Sequence, residues 1–256
     1  MVNRYIATRI HITIFLMLLC CSMMAQSIKV AVASNLLLPM QAIEKKFEGK
    51  YPYEVELIPG ASGTLTSQIV NGAPYEIFVS ADDKYIDEVI DKDKAHGGPQ
   101  IICFGTVYLW VKSGIAGDDP EAILKQEKVR SIGLAHPDLA PYGKLSRDWL
   151  EVKQLGVLVH DKIVYGTSIG QVNQYIAAGS VDAAFTSNSL KFSQKKGEGK
   201  FIKIEEIWMD PIPQTMLILK TDGPGLFVAT LFKDFLLGKE SRRVFQDFGY
   251  ELPVAE

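Results

Sequence analysis

Cysteine is scarce in this chain, and what little there is cannot pair. Of three cysteines, Cys20 and Cys21 adjoin near the N-terminus and Cys103 stands alone in Ile101-Ile102-Cys103-Phe104. A disulfide framework is therefore excluded once the first 25 residues are removed, and Cys103 reads as a small buried hydrophobe. Histidine is equally thin. His11, His96, His136 and His160 are scattered singly, without the clustered spacing that a metal site needs. Positive charge is not in excess, since 27 Lys and Arg face 30 Asp and Glu for a net charge of −3, which argues against a nucleic-acid partner. No apolar run reaches the roughly 18 residues of a membrane-spanning helix. The longest, Ile10 to Ala25, is interrupted by His11 and Thr13.

That run has its own meaning. Arg4 and Arg9 precede it, and no acidic residue occurs before Glu44. A basic start followed by an apolar stretch predicts a signal peptide over residues 1–25 and an exported, periplasmic or extracytoplasmic protein. Cleavage after Ala25 is expected, and the bulky leucines before Cys20 and Cys21 argue against a lipid anchor there. Removing the leader takes away two positive charges, moving the net charge from −3 to −5. An acidic protein that binds an anion must rely on local donors, because its overall field does not attract one.

Beyond the leader, short apolar runs alternate with amphipathic stretches, the pattern of parallel strands flanked by helices. Strands are expected at 28–33, 54–58, 76–79, 101–111, 131–134, 162–165 and 183–185. Leu37 to Phe47 reads as a helix with Met40, Ile43 and Phe47 on one face, and a second helix from Thr64 ends at Gly72, a left-handed cap. Asp82 and Asp83 read as the cap of a helix beginning near Tyr85. The segment Pro224 to Phe248 reads as two helices broken at Gly238, with Phe227, Leu231, Phe235 and Leu236 as a core stripe. The runs 101–111 and 215–219 are expected to cross between two lobes, stiffened by Pro211 and Pro213. This places lobe one at 26–105 and 213–256, with lobe two, 106–212, inserted in it.

Several strand-to-helix junctions carry small hydroxyl residues: Ala33-Ser34-Asn35, Gly60-Ala61-Ser62-Gly63-Thr64 and Gly166-Thr167-Ser168-Ile169-Gly170. Each serine taken singly reads as an ordinary N-cap. Three at equivalent points of alternating α/β units suggest more, because a helix N-terminus carries about half a positive elementary charge and unpaired N–H groups. Several converging termini make an anion site without any Lys or Arg. The third junction also matches G-x-S-x-G, the nucleophile turn of α/β-hydrolases. That reading requires an acid and then a histidine downstream, and no histidine follows Ser168.

These junctions, with the segment Asn71-Gly72-Ala73-Pro74-Tyr75-Glu76-Ile77-Phe78-Val79-Ser80-Ala81-Asp82, the loop His136-Pro137-Asp138-Leu139-Ala140-Pro141-Tyr142-Gly143 and the end Phe245-Gln246-Asp247-Phe248-Gly249-Tyr250, resemble the periplasmic molybdate-binding protein family of ABC importers. The resemblance spans nearly the whole chain after the leader. It implies a type II two-lobed periplasmic-binding-protein fold with mostly parallel sheets and the ligand in the interlobe cleft. It also implies a binding protein rather than an enzyme, with no cofactor and with molybdenum held only as molybdate, without direct metal ligands.

Carried over by position, the resemblance assigns Ser34 and Ser62 from lobe one and the backbone N–H groups of Tyr142 and Ile169 from lobe two. A fifth position departs from the family pattern: where a tyrosine hydroxyl is expected, this chain has Phe185, so Thr186, Ser187 or Asn188 is the candidate replacement. The implied ligand is molybdate or tungstate, and the implied partners are importer permease subunits, with the protein itself a monomer. Capture of sulfate or another small anion is the alternative on the same fold; a serine hydrolase built on Ser168 is the alternative of another class.

Overall fold

The computed structural model describes residues 26–193, 199–205, 209–221 and 223–254. The expected leader, with Cys20 and Cys21, lies outside them. Two five-stranded sheets organise the chain. The first contains β1 (Gln26–Ala33), β2 (Tyr53–Gly60), β3 (Ile77–Ser80), β4 (Gln100–Gly105) and β10 (Ile212–Ile218), in the order β2-β1-β3-β10-β4. The second contains β5 (Val107–Val111), β6 (Ile132–Ala135), β7 (Ile163–Gly166), β8 (Ala183–Ser187) and β9 (Lys200–Lys203), in the order β7-β6-β8-β5-β9. Each sheet with its helices is one lobe, and the fold is the expected two-lobed α/β architecture.

The sheets are mixed where mostly parallel ones were expected. β1 pairs in parallel with β2 and β3, and β6 with β7 and β8. β10 runs antiparallel to β3 and β4, and β5 antiparallel to β8 and β9. The cause is the route between lobes. The run 101–111 is not one strand: Thr106 alone separates β4 from β5, so the chain passes directly from one sheet into the other. The return crossing lies before Ile212, and 215–219, expected to cross, stays in or beside sheet one. A strand entering a sheet from the opposite lobe has no crossover helix to turn it parallel.

Helices cover both faces of sheet one. On one face α1 (Leu37–Glu48), α9 (Pro224–Leu237) and α10 (Lys239–Asp247) pack through Met40, Ile43, Phe47, Phe232 and Phe245. Burying such side chains stabilises the fold by about 1.5–3 kcal/mol each. On the other, α2 (Ser62–Val70) and α3 (Asp83–Asp91) contribute Leu65, Ile69, Ile86 and Val89. Gly72 has φ of +91°, the left-handed turn expected after α2. Asp82 caps α3 by accepting from the Lys84 N–H at 2.9 Å. Phe227 departs from its expected place in the core stripe: it is exposed, with the Tyr53 ring edge-on at 6.2 Å.

Lobe two is built from α4 (Pro120–Lys125), α5 (Pro141–Val152), α6 (Gly156–Val159), α7 (Ile169–Ala177) and α8 (Asn188–Ser193) around its sheet. Strand alternation on β8 divides its neighbours. Ala184 lies on the α7 side near Val172, and Phe185 points the other way, its ring centroid 5.8 Å from that of Trp149 on α5.

Candidate functional site

The parallel pairing of β1 with β2 runs to its last residues, Ala33 opposite Gly60, so the segments leaving both strands start side by side. Ser34 opens a short 3-10 turn and donates its hydroxyl to the Gly60 carbonyl at 3.0 Å. Ser62 opens α2, and its hydroxyl oxygen accepts the Ala81 N–H from the end of β3 at 3.1 Å. The same construction recurs in lobe two. Ala135 pairs with Gly166 at the ends of β6 and β7. From there the chain enters α5 at Pro141-Tyr142 and α7 at Ile169. Gly143 is obligatory at the α5 start, because any Cβ there would collide with the Ala135 carbonyl.

The carboxyl ends of these strands face one another, the usual ligand position in open α/β sheets. Between them lies a cavity lined by Ala33, Ser34, Asn35, Gly60, Ala61 and Ser62 of lobe one. Ala140, Pro141, Tyr142 and Ile169 of lobe two complete it. It is nearly filled in this closed form, with a cavity volume of about 10 Å³, and no charged side chain is in its wall. Three helices begin at it. By helix geometry the first-turn N–H groups of α2, α5 and α7 lack intrahelical acceptors, and Pro141 leaves Tyr142 as the first donor of α5. The lobes are closed on each other: the Gly63 N–H donates to the Leu139 carbonyl at 3.0 Å, and the Tyr85 hydroxyl to the Asp138 carbonyl at 3.3 Å.

The hydroxyls differ in readiness. Ser62 accepts a bond, so its own proton is free to donate into the cavity. Ser34 spends its proton on Gly60 and must rotate to do the same. Ser168 is outside the lining; its oxygen accepts from the Gln171 N–H at 3.4 Å, the ordinary N-cap.

Four of the five sequence-derived positions, Ser34, Ser62, Tyr142 and Ile169, meet at this cavity. Phe185 does not: it is buried in the lobe-two core against Trp149. Its proposed replacements are engaged elsewhere. Thr186 donates to Asn173 at 2.6 Å, Ser187 shares a hydrogen bond with Ser189 at 3.0 Å, and Asn188 donates to the Phe248 carbonyl at 3.1 Å. Sequence reasoning missed Asn35, which is 2% exposed and lines the cavity. Its signal was a lone amide ahead of the apolar run Leu36-Leu37-Leu38.

Three larger concavities are mixed in charge. One, behind the interlobe crossing, carries Glu205, Asp210 and Glu251 with Lys203; a second, on lobe two, carries Glu151 and Asp161 with Arg147; a third carries Lys112, Lys128 and Arg130 with Glu127 and Asp182. Carboxylates that repel an anion are present in each, and none of the three is lined by the helix starts of both lobes. Among the described residues no cluster of His, Cys, Asp and Glu is suited to a metal ion, and no helix is long and apolar enough to cross a membrane.

A two-lobed α/β scaffold closed over a small cavity of neutral donors defines the class: a solute-binding protein. The chain belongs to the bacterial extracellular solute-binding protein family, which matches residues 28–251. It is 31% identical over 237 residues to the molybdate-binding protein ModA of Azotobacter vinelandii, covering 92% of this chain and 94% of that one. It is also 31% identical over 224 residues to the ModA of Rhodobacter capsulatus, covering 86% of each. The solved periplasmic molybdate-binding protein of Azotobacter vinelandii superposes with a TM-score of 0.81 at 27% identity, covering 89% of this chain and 100% of that one. These relatives are solute-binding proteins, not enzymes.

Proposed function

We propose that this protein captures molybdate or tungstate in the interlobe cleft and delivers it to the permease subunits of an ABC importer. The observation that carries the reading is the cavity wall: Ser62, Tyr142 and Ile169 at three helix N-termini meet Ser34 of a 3-10 turn there, with no charged group among them. Such a site offsets the desolvation of a dianion with fixed dipoles, each charge-assisted hydrogen bond contributing about 1.5–3 kcal/mol. A wall of donors suits a fully ionised MoO₄²⁻ or WO₄²⁻. Monohydrogen phosphate would bring an O–H in need of an acceptor, and the carbonyl of Gly60 in the wall already receives Ser34. Sulfate passes the charge test and is rejected only by size.

The rest of the reading follows from this role. The protein works as an exported monomer after loss of residues 1–25, with lobe one at 26–105 and 213–256 and lobe two at 106–212. It uses no cofactor and performs no catalysis. Calorimetry on residues 26–256 against molybdate, tungstate, sulfate and phosphate tests it. Molybdate and tungstate should bind tightly and phosphate not at all; tight phosphate binding without molybdate heat would remove the donor-only site.

A further inference from the structure

Tyr142 faces two ways. The residue lines the cavity at the start of α5, while its ring, 1% exposed, packs in the lobe-two core and carries its hydroxyl across to lobe one. There the hydroxyl lies 3.5 Å from Asn35 Nδ2. Asn35 is itself held from several sides. Its Nδ2 donates to Gln214 Oε1 at 2.8 Å, and its carbonyl accepts from the Tyr250 hydroxyl at 2.7 Å and from Ser189 of lobe two at 2.6 Å. The phenol also rests on Gly105, the last residue of β4 before the chain crosses between lobes. A Cβ at Gly105 would collide with the Tyr142 hydroxyl, yet would stand 3.3 Å from the ring carbon that bears it.

We propose that the Tyr142 side chain is a positioning latch: with its hydroxyl seated in lobe one between Asn35 and Gly105, it holds the closed geometry that brings the Tyr142 N–H to the anion. This deepens the oxyanion reading and rests on it for the ligand. The seat forms only when the lobes are closed, because the phenol and the Asn35 amide that donates to it come from opposite lobes. Burial, reinforced by the neighbouring Tyr250 phenol and Cys103, holds the Tyr142 hydroxyl well above its ordinary range. It therefore stays a neutral phenol, whose oxygen accepts from Asn35.

The test is a double-mutant cycle on the mature chain, with molybdate affinity and release rate measured beside small-angle X-ray scattering with and without molybdate. Gly105→Ala should block the seat, weaken molybdate roughly tenfold or more and enlarge the radius of gyration. Tyr142→Phe should release molybdate faster with little change in association rate. Combined, the two should bind better than Gly105→Ala alone and regain compactness, because the colliding oxygen is gone. A change that merely damaged lobe one would leave the double variant no better than the single. If the parent binds no oxyanion, the functional reading fails and the latch is judged on the scattering order alone. Equal radii in parent, single and double variants, or a double variant that binds no better than Gly105→Ala, overturns the latch.

Discussion

Gly170 of α7 lies so close to Ser34 of the opposite lobe that a Cβ on it would stand 3.2 Å from both the Ser34 Cβ and Oγ. Hydrogen at this position sets how near the α7 terminus comes to β1. Gly170→Val should wedge the lobes apart. Affinity for molybdate is expected to fall more than roughly tenfold, while the ligand-free melting temperature changes little, because the clash arises between lobes. Calorimetry and a thermal melt check the two halves, and unchanged affinity would show that the lobes need not approach this closely.

Ser62→Ala should weaken molybdate binding by roughly ten- to a hundredfold, the loss of one hydrogen bond to a dianion. Ser34→Ala should cost less, since the Ser34 proton is already committed to Gly60. Cys103→Ala, buried in the lobe-one core, should leave affinity unaltered. Titration of the three variants ranks them; an unaffected Ser62→Ala protein would take that hydroxyl out of the site.

Phe185→Tyr would restore the family's tyrosine in sequence, but its hydroxyl would enter the apolar packing around Trp149. The expected outcome is a loss of about 1–3 kcal/mol in stability with no gain in affinity. Denaturant unfolding together with calorimetry decides this. A tighter-binding variant would place position 185 in reach of the anion after all.

Asp182 joins the start of β6 to β8, its carboxylate accepting from the Arg130 N–H at 2.9 Å, the Ser131 N–H at 3.2 Å and the Ser131 hydroxyl at 3.1 Å. Partial burial raises its pKa, and these donors outweigh that, leaving it below the ordinary carboxylate value. A group more acidic when folded contributes fully above its unfolded pKa, near 3.9, and loses that contribution as pH falls through its folded value. With solvent screening discounting the charge, Asp182→Asn should therefore cost less than about 1 kcal/mol at pH 7. Its deficit relative to the parent should shrink below about pH 4, as measured by denaturant unfolding across pH. A deficit independent of pH would mean that the charge plays no part.

Local rules carried the sequence reading where neighbours along the chain decide. The cap at Asp82, the left-handed turn at Gly72 and the apolar face of α1 all follow from contacts within one or two turns. The serine junctions were legible for the same reason, because a small hydroxyl residue between an apolar strand and an amphipathic helix marks a helix start. Such marking cannot rank the junctions: Ser168 has the same signature as Ser62, and only in the folded chain does one cap its own helix while the other faces the cavity.

Contacts between distant segments decided the rest. The single apolar run 101–111 gives no sign that Thr106 divides two sheets, since strand periodicity is identical on both sides. The family resemblance led to a ligand-facing expectation for Phe185, yet the pleat of β8 turns it onto Trp149. Asn35 looked unremarkable beside Ser34 until Gln214, Tyr250 and Ser189 were brought around it from as far as 215 residues away. By itself the sequence determined the α/β class, the helix starts and the neutral character of the candidate donors, because these depend on composition and near neighbours. Tertiary structure alone decided which donors converge and which tyrosine crosses between lobes, because both depend on strand register and on how closely two separately built lobes approach.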